Sequence, residues 1–329
     1  MASNRRTLLL TDSLAPEARA LLDTRDEVTQ VYFPHLIAND AFTDLIAAHA
    51  PVHGWVLGST RIGAAEIIAA QELEVTARIG VGYDAIDVPA HTAARVPVMT
   101  AGTANSPSVA EHALTMMVML AKRTGDLDAL VRGHRWRDRM QVVPADLFEK
   151  SVLVIGFGRI GTRTAKRCLA FEMAVSVYDP YVDQGTIKAA GYEPVSDLDQ
   201  AVATADFITI HCPKTPETIG MFDARRIGLM KPSAILVNTA RGGLVDEAAL
   251  YQALRAHRIA GAGLDVFAEE PVDQDNPLLK LETVVTSAHM AGNTREALRR
   301  MGIAAVRNVL SVLDGTPLRE NAVNPEVFN

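Results

Sequence analysis

Only two cysteines occur in this 329-residue chain, aromatic residues make up 5% of it, and basic residues are outnumbered by acidic ones. Cys168 and Cys212 fall within expected buried elements and lack metal-ligand spacing. A disulfide-stapled secreted scaffold and a cysteine metal site are therefore both set aside, and reduced core thiols in a cytoplasmic protein are expected. With 32 Lys and Arg against 39 Asp and Glu, the net charge of -7 offers no basic field to draw in phosphates, so no nucleic-acid partner is expected. The basic cluster at 132–139 reads as a solvated helix face. Long apolar runs are also missing. The longest, at 114–121, falls far short of the roughly 20 residues a membrane span needs, so no membrane partner is expected. At the N-terminus Arg5 and Arg6 precede only Leu8, Leu9 and Leu10, where a secretory leader needs an apolar core of roughly 7–15 residues. The tail around Asn324-Pro325 carries no lipidation or retention signal, and no short-period repeat or low-complexity tract is present.

What is present is apolar and alanine-rich. A hydrophobic content of 48% and a charged content of 22% describe a folded protein, and the length suits two domains. Over the first hundred residues short apolar runs at 7–11, 54–57, 75–79 and 96–99 alternate with helical patterns at 15–22 and 64–70. Such alternation predicts βαβ units and a parallel sheet. From Ser106 the character changes to a long helix through Glu111, Leu114, Val118 and Ala121, with Ser108 or a neighbour as its cap. A second alternation follows. Strands are expected at 151–155, 174–178, 207–211, 234–239, 261–266 and 284–287, with helices at 161–171 and 246–257 among the crossovers. Six strands with crossover helices predict a doubly wound α/β fold. A last helix is expected over about 294–313.

Gly156-Phe157-Gly158-Arg159-Ile160-Gly161 is a GxGxxG match placed between an expected strand and an expected helix, the context that gives the pattern meaning. The first glycine permits the tight turn, the second lets a pyrophosphate approach the backbone, and the third lets helix and strand pack closely. The helix N-terminus then faces the phosphates. Eighteen residues beyond Gly161, at the end of the next strand, stands Asp179. Its carboxylate suits both hydroxyls of an adenosine ribose and repels a 2′-phosphate, so NAD is expected rather than NADP.

Taken together, these residues resemble the D-isomer-specific 2-hydroxyacid dehydrogenases, a family that includes phosphoglycerate dehydrogenases and glyoxylate/hydroxypyruvate reductases. The resemblance is carried by Arg78-Ile79-Gly80-Val81-Gly82, Ser108-Val109-Ala110-Glu111-His112, the glycine turn, and 230–247 (MKPSAILVNTARGGLVDE). Leu264-Asp265-Val266-Phe267, Glu270-Pro271 and His289-Met290-Ala291-Gly292 complete it. It implies flavodoxin-like and Rossmann domains with an active-site cleft between them. Residues 1–104 with 295–329 would form a discontinuous substrate domain, and 105–294 the NAD-binding domain. It further implies a homodimer paired through about 108–146.

The resemblance also assigns roles. Arg241 would bind the carboxylate and carbonyl of a 2-keto acid through its planar fork. His289 would donate the proton in reduction and accept it in oxidation, a task suited to a side chain that titrates near neutrality. Glu270 would hold the imidazole in one orientation and favour its protonated form. It stands directly before the proline, which separates it from Glu269, and the related formate dehydrogenases carry glutamine there. The amides of Val81 and Gly82 would face the substrate carboxylate. Cys212 and Pro213 would flank the adenine or its ribose, and Thr239, Ala240 and Asp265 the nicotinamide side. Arg159, Ile160, His289 and Gly292 complete the expected cofactor contacts. Asp265 also reads as a strand-end cap.

Two departures stand out. Gly58 occupies a loop position where phosphoglycerate dehydrogenases tend to carry an arginine for the substrate phosphate, although Arg61 and Arg78 lie nearby in sequence. Ala288 precedes the histidine where the family usually has proline. The expected function is NAD-dependent interconversion of a D-2-hydroxy acid and its 2-keto acid, of glyoxylate or hydroxypyruvate type. A phosphoglycerate dehydrogenase is one alternative. Another is an NAD-sensing corepressor-like binding protein, a class expected to carry terminal segments beyond a compact chain such as this. A methyltransferase with a glycine turn leaves Arg241, Glu270 and His289 without a shared role.

Overall fold

The alternation of apolar runs and helical patterns produces two parallel sheets in the computed structural model, which describes residues 5–329. Residues 1–4, where the segment read for a leader begins, lie outside the described residues. One compact unit holds the chain up to Asn105 together with Asn293–Asn329; the other is Ser106–Gly292.

In the first unit the strands are β1 (Arg6–Thr11), β2 (Val28–Phe33), β3 (Gly54–Leu57), β4 (Val75–Arg78) and β5 (Val98–Met99). Helices α1 (Pro16–Leu22), α2 (Asn39–His49), α3 (Ala64–Ala70) and α4 (Val88–Ala93) connect them. The strand order is β2-β1-β3-β4-β5, the flavodoxin-like order, and every pairing is parallel. β1 displays why such a strand reads as a continuous apolar run: Leu8 and Leu10 pack on one face with Leu14, Ala18 and Leu22, while Leu9 packs on the other with Phe42, Ile46 and Trp55.

In the second unit α5 (Ser106–Lys122) and α6 (Thr124–Arg132) precede β6 (Ser151–Ile155), α7 (Gly161–Ala170), β7 (Ala174–Tyr178), α8 (Gln184–Ala189) and β8 (Glu193–Pro194). There follow α9 (Leu198–Thr204), β9 (Phe207–Ile210), α10 (Ala224–Leu229), β10 (Ile235–Asn238), α11 (Glu247–Arg255), β11 (Gly261–Leu264) and β12 (Val284–Thr286). The order β12-β11-β10-β9-β6-β7-β8 is a doubly wound sheet of seven parallel strands, one more than the sequence pattern predicts. The extra strand, β8, is two residues long and contains Pro194, too short to leave a periodic signal. Alternate residues serve opposite faces. Leu153 and Ile155 join Leu250 and Leu254 of α11, while Val152 and Val154 join Met116 and Met117 of α5 and Cys168 of α7.

Asp183, Asp197, Asp223 and Asp246 each accept a backbone N–H at the start of α8, α9, α10 and α11, satisfying donors that a helix terminus leaves unpaired. Ser108 lies inside the first turn of α5, not at its cap, because the helix already begins at Ser106. The last helix, α12 (Arg295–Leu313), belongs to the first unit, where Ala305, Val306 and Val309 share the core of Leu8 and Leu10. Thr294 caps it through the N–H of Ala297. No helix among the described residues is long and apolar enough to cross a membrane.

Candidate active site

β6 and β9 are neighbours in the sheet, yet their connections leave in opposite directions, so their carboxyl ends open a crevice where ligands of such sheets bind. The glycine turn lies there. Gly156 has φ +92°, a conformation that disfavours any side chain, and an added Cβ would stand 2.9 Å from the backbone of His211 and Cys212. At Gly161 the constraint is tighter: a Cβ would fall 1.8 Å from the carbonyl oxygen of Gly156. Gly158 is exposed and a Cβ there meets nothing within 4 Å. Two glycines thus close the turn, and the third leaves its backbone open on the outside. Arg159 is exposed beside it and Ile160 directly precedes α7. The cradle fits a pyrophosphate at the amino end of a ten-residue helix.

Asp179 follows β7 and reaches this turn. One carboxylate oxygen accepts the N–H of Phe157 at 2.8 Å, and the other accepts the N–H of Tyr181 at 2.9 Å. The residue is therefore both a local turn former and a tether for the glycine loop, with lone pairs remaining for further donors. Cys212 and Pro213 follow β9 after His211, with the backbone of His211 and Cys212 against Gly156. Burial pushes the Cys212 thiol up to about 11, so it stays protonated near neutrality.

Arg241 sits in a loop braced from within. Asn238, buried at the end of β10, accepts the N–H of Ala240 at 3.0 Å and donates its amide to the carbonyl of Arg241 at 2.8 Å. The Arg241 guanidinium donates to the Ala240 carbonyl at 2.7 Å. Thr239, between them, is buried. Next, Gly242 packs so closely on the loop after β11 that a Cβ would lie 1.6 Å from the carbonyl oxygen of Phe267. The Arg241 loop and the Phe267 loop are thereby locked backbone to backbone.

That second loop carries Glu270. One of its oxygens accepts the N–H of Phe267 at 3.0 Å, and the other lies 2.7 Å from Nδ1 of His289. Because an ionised carboxylate only accepts, Nδ1 is the donor. Glu247, at the start of α11, braces the same loop by accepting from Ala268 N–H and the Asn276 side chain. His289 itself has φ +52°, left-handed backbone that costs a non-glycine residue of order 1–3 kcal/mol unless its surroundings hold it. Asp265 does the holding. Its carbonyl accepts the His289 N–H at 2.7 Å, and its buried carboxylate accepts the N–H groups of Met290 at 2.8 Å and Ala291 at 3.0 Å. Gly292 ends the unit.

The structure thus brings Arg241, Glu270 and His289 to adjoining loops at the carboxyl end of one sheet, beside the glycine turn and Asp179. Val81 and Gly82 belong to the other unit, on the loop after β4, where Arg78 donates to the Gly82 carbonyl at 3.1 Å. Three positioning residues escape the sequence reading: Asn238, Glu247 and Ser287, whose hydroxyl donates to the Asp265 carboxylate. All three sit within or beside matched motifs, but only strand register reveals what they hold.

The model of the D-isomer specific 2-hydroxyacid dehydrogenase NAD binding domain matches residues 114–291. A D-3-phosphoglycerate dehydrogenase of Archaeoglobus fulgidus is 42% identical over 269 residues, covering 82% of this chain and 50% of that protein. The chain thus spans half the length of that relative. Among solved structures, the TT0316 protein from Thermus thermophilus superposes with TM-score 0.88 at 32% identity, over 96% of this chain and 99% of that one. A D-lactate dehydrogenase from Aquifex aeolicus, complexed with NAD and lactic acid, superposes with TM-score 0.82 at 27% identity, over 96% and 99%.

Proposed function

This chain belongs to the D-isomer-specific 2-hydroxyacid dehydrogenase family, and from that premise we propose that it interconverts a D-2-hydroxy acid and its 2-keto acid with NAD. The observation that carries the reading is the 2.7 Å contact of His289 Nδ1 with Glu270, on a loop adjoining that of Arg241. With Nδ1 committed to the carboxylate, proton exchange with substrate falls to Nε2. In reduction His289 gives its proton to the carbonyl oxygen, and Glu270 stabilises the imidazolium before the transfer. The Arg241 fork pairs with the substrate carboxylate and polarises the carbonyl. A bound nicotinamide supplies or takes the hydride. Arg159, Ile160, Thr239, Ala240, Cys212, Pro213 and Gly292 serve as the cofactor wall in this reading, and the amides of Val81 and Gly82 serve the substrate carboxylate. The unit around the glycine turn acts as the NAD-binding domain, 105–294, and 1–104 with 295–329 acts as the substrate domain.

A small, unphosphorylated keto acid of glyoxylate or hydroxypyruvate type is favoured by Gly58. A side chain there would begin 2.9 Å from Nδ1 of His35, so position 58 itself carries no guanidinium, while Arg61 of the same loop lines the cavity beside His35. The phosphoglycerate reading draws its support from the 42% identity to the archaeal enzyme. A panel of 2-keto acids with NADH, phosphorylated and unphosphorylated, decides between them. Turnover only with the phosphorylated member overturns the first reading, and cofactor binding without any turnover favours an NAD sensor. The protein acts in the cytoplasm as a homodimer in this proposal. Val131, Trp136, Met140 and Val143 stand exposed in and after α6, an apolar strip suited to a second copy of the chain.

A further inference from the structure

α5 runs close over β11 because that strand carries glycines. A Cβ on Gly263 would lie 2.9 Å from Cβ of Met116. One helical turn before Met116, on the same face, is His112. Its Nε2 lies 2.8 Å from Oγ of Ser287, and Ser287 Oγ lies 2.5 Å from Oδ1 of Asp265. Asp265 and Ser287 are the residues that follow the paired ends of β11 and β12, Leu264 and Thr286.

Hydrogen-bond bookkeeping fixes the direction of this chain. An ionised Asp265 only accepts, so the single proton of Ser287 is committed to it. Ser287 Oγ must then accept from His112, whose Nε2 carries a proton. The buried Asp265 carboxylate accordingly collects three donors, Ser287 O–H and the N–H groups of Met290 and Ala291, and His112 orients the first. Those two N–H groups belong to the residues immediately after His289, whose own left-handed backbone depends on Asp265. Ala288 leaves this loop without the ring constraint that a proline would bring.

We propose that His112 is a positioning residue: by donating to Ser287 it orients the hydroxyl on Asp265, and so holds the backbone of 289–291 that aims the His289 imidazole. The inference rests on the acid/base reading of His289 for its catalytic consequence. The backbone restraint itself stands apart from that reading. His112 touches no reacting atom in this scheme, and its effect passes through two other side chains.

The test uses His112→Leu, His112→Gln and Ser287→Ala in the full chain. His112→Leu is expected to lower kcat on the order of 10- to 100-fold through misplacement of His289, with the Kd for NADH within twofold of wild type. Amide exchange at Met290 and Ala291 should quicken while exchange in β6 and β10 stays unchanged. His112→Gln, whose amide can donate to Ser287, should recover most of kcat, and His112→Leu added to Ser287→Ala should cost nothing further. Wild-type kcat and exchange in His112→Leu overturns the proposal, as does full additivity with Ser287→Ala. Should His112→Leu fail to fold, His112→Ala with the exchange measurement carries the same test. His289→Gln, run alongside, reads the acid/base role alone. Full turnover in that variant overturns the catalytic half of the proposal, and the exchange data still decide the restraint.

Discussion

One oxygen of the Glu270 carboxylate lies 2.7 Å from Nδ1 of His289, while the other accepts the N–H of Phe267 at 3.0 Å. The carboxylate is thus fixed by the backbone on one side and fixes the imidazole on the other. If His289 transfers the proton, His289→Ala should lose on the order of 10²–10⁴ in turnover, with NADH binding retained. Glu270→Gln keeps the shape and removes the charge, so its loss should be smaller and fall on kcat. Steady-state kinetics with cofactor titration checks both, and near-wild-type turnover in His289→Ala would remove it from the mechanism.

The glycine turn separates two kinds of necessity. Gly161→Ala places a methyl group 1.8 Å from the Gly156 carbonyl oxygen, so the backbone must shift. A stability loss of about 1–3 kcal/mol is expected, as for other overpacked sites. Gly158→Ala meets nothing within 4 Å and should leave stability unchanged. Its methyl group would instead intrude where a pyrophosphate approaches, weakening NADH binding at least tenfold, roughly 1.4 kcal/mol. Urea unfolding and NADH titration of both variants decide this, and a Gly158→Ala that binds normally moves the phosphate site elsewhere.

The contrast explains what the sequence makes legible. β6 reads directly because a strand buried on both faces is continuously apolar, and the turn after it is local. β2, a sheet edge with mixed polar residues, gives no such run. Unlike the equally short but alanine-rich α1 and α3, α8 (QGTIKA), α9 (LDQAVAT) and α10 (ARRIGL) break their few apolar residues with polar ones or glycine. Their capping aspartates are the signal that was available. Glu270 and His289 are legible through family motifs, not through spacing. The grip of Asp265 on three consecutive backbone N–H groups is invisible in one dimension, since it needs the register of β11 with β12 and the left-handed turn at His289.

Asp179 has two structural bonds besides the ribose contact assigned to it. Asp179→Ala should therefore weaken the preference for NADH over NADPH and also loosen the glycine turn. Asp179→Asn separates the effects, because its amide oxygen can still accept the Phe157 N–H while the negative charge is gone. The ratio of kcat/KM for the two cofactors should fall in both variants, with NADH affinity better kept in Asn. An unchanged ratio in Asp179→Asn would mean that charge at this position does not select the cofactor.

Two histidines outside the proton-transfer pair should make stability fall in mildly acidic solution. Burial lowers the His91 imidazole below its ordinary range, where Nδ1–H donates to the Asp87 carbonyl and Nε2 accepts from Thr76. His211 is pushed down to about 3 by burial, and its Nδ1 meets no hydrogen-bonding partner among the described residues. Both groups are neutral in the folded protein at a pH where the unfolded chain, titrating near 6.5, already takes up protons. The unfolded state then binds more protons, so stability rises with pH up to about 6.5 and is lost below it, by at most about 1.4 kcal/mol per pH unit for each imidazole. The loss from His211 continues until pH approaches 3. Urea unfolding between pH 7.5 and 5 samples this slope above the range where salt-bridged carboxylates such as Asp199, held down to about 2, begin to titrate. The double variant His91→Gln, His211→Gln should flatten the slope even if it lowers stability overall. A slope unchanged in that variant would assign the proton uptake to other groups.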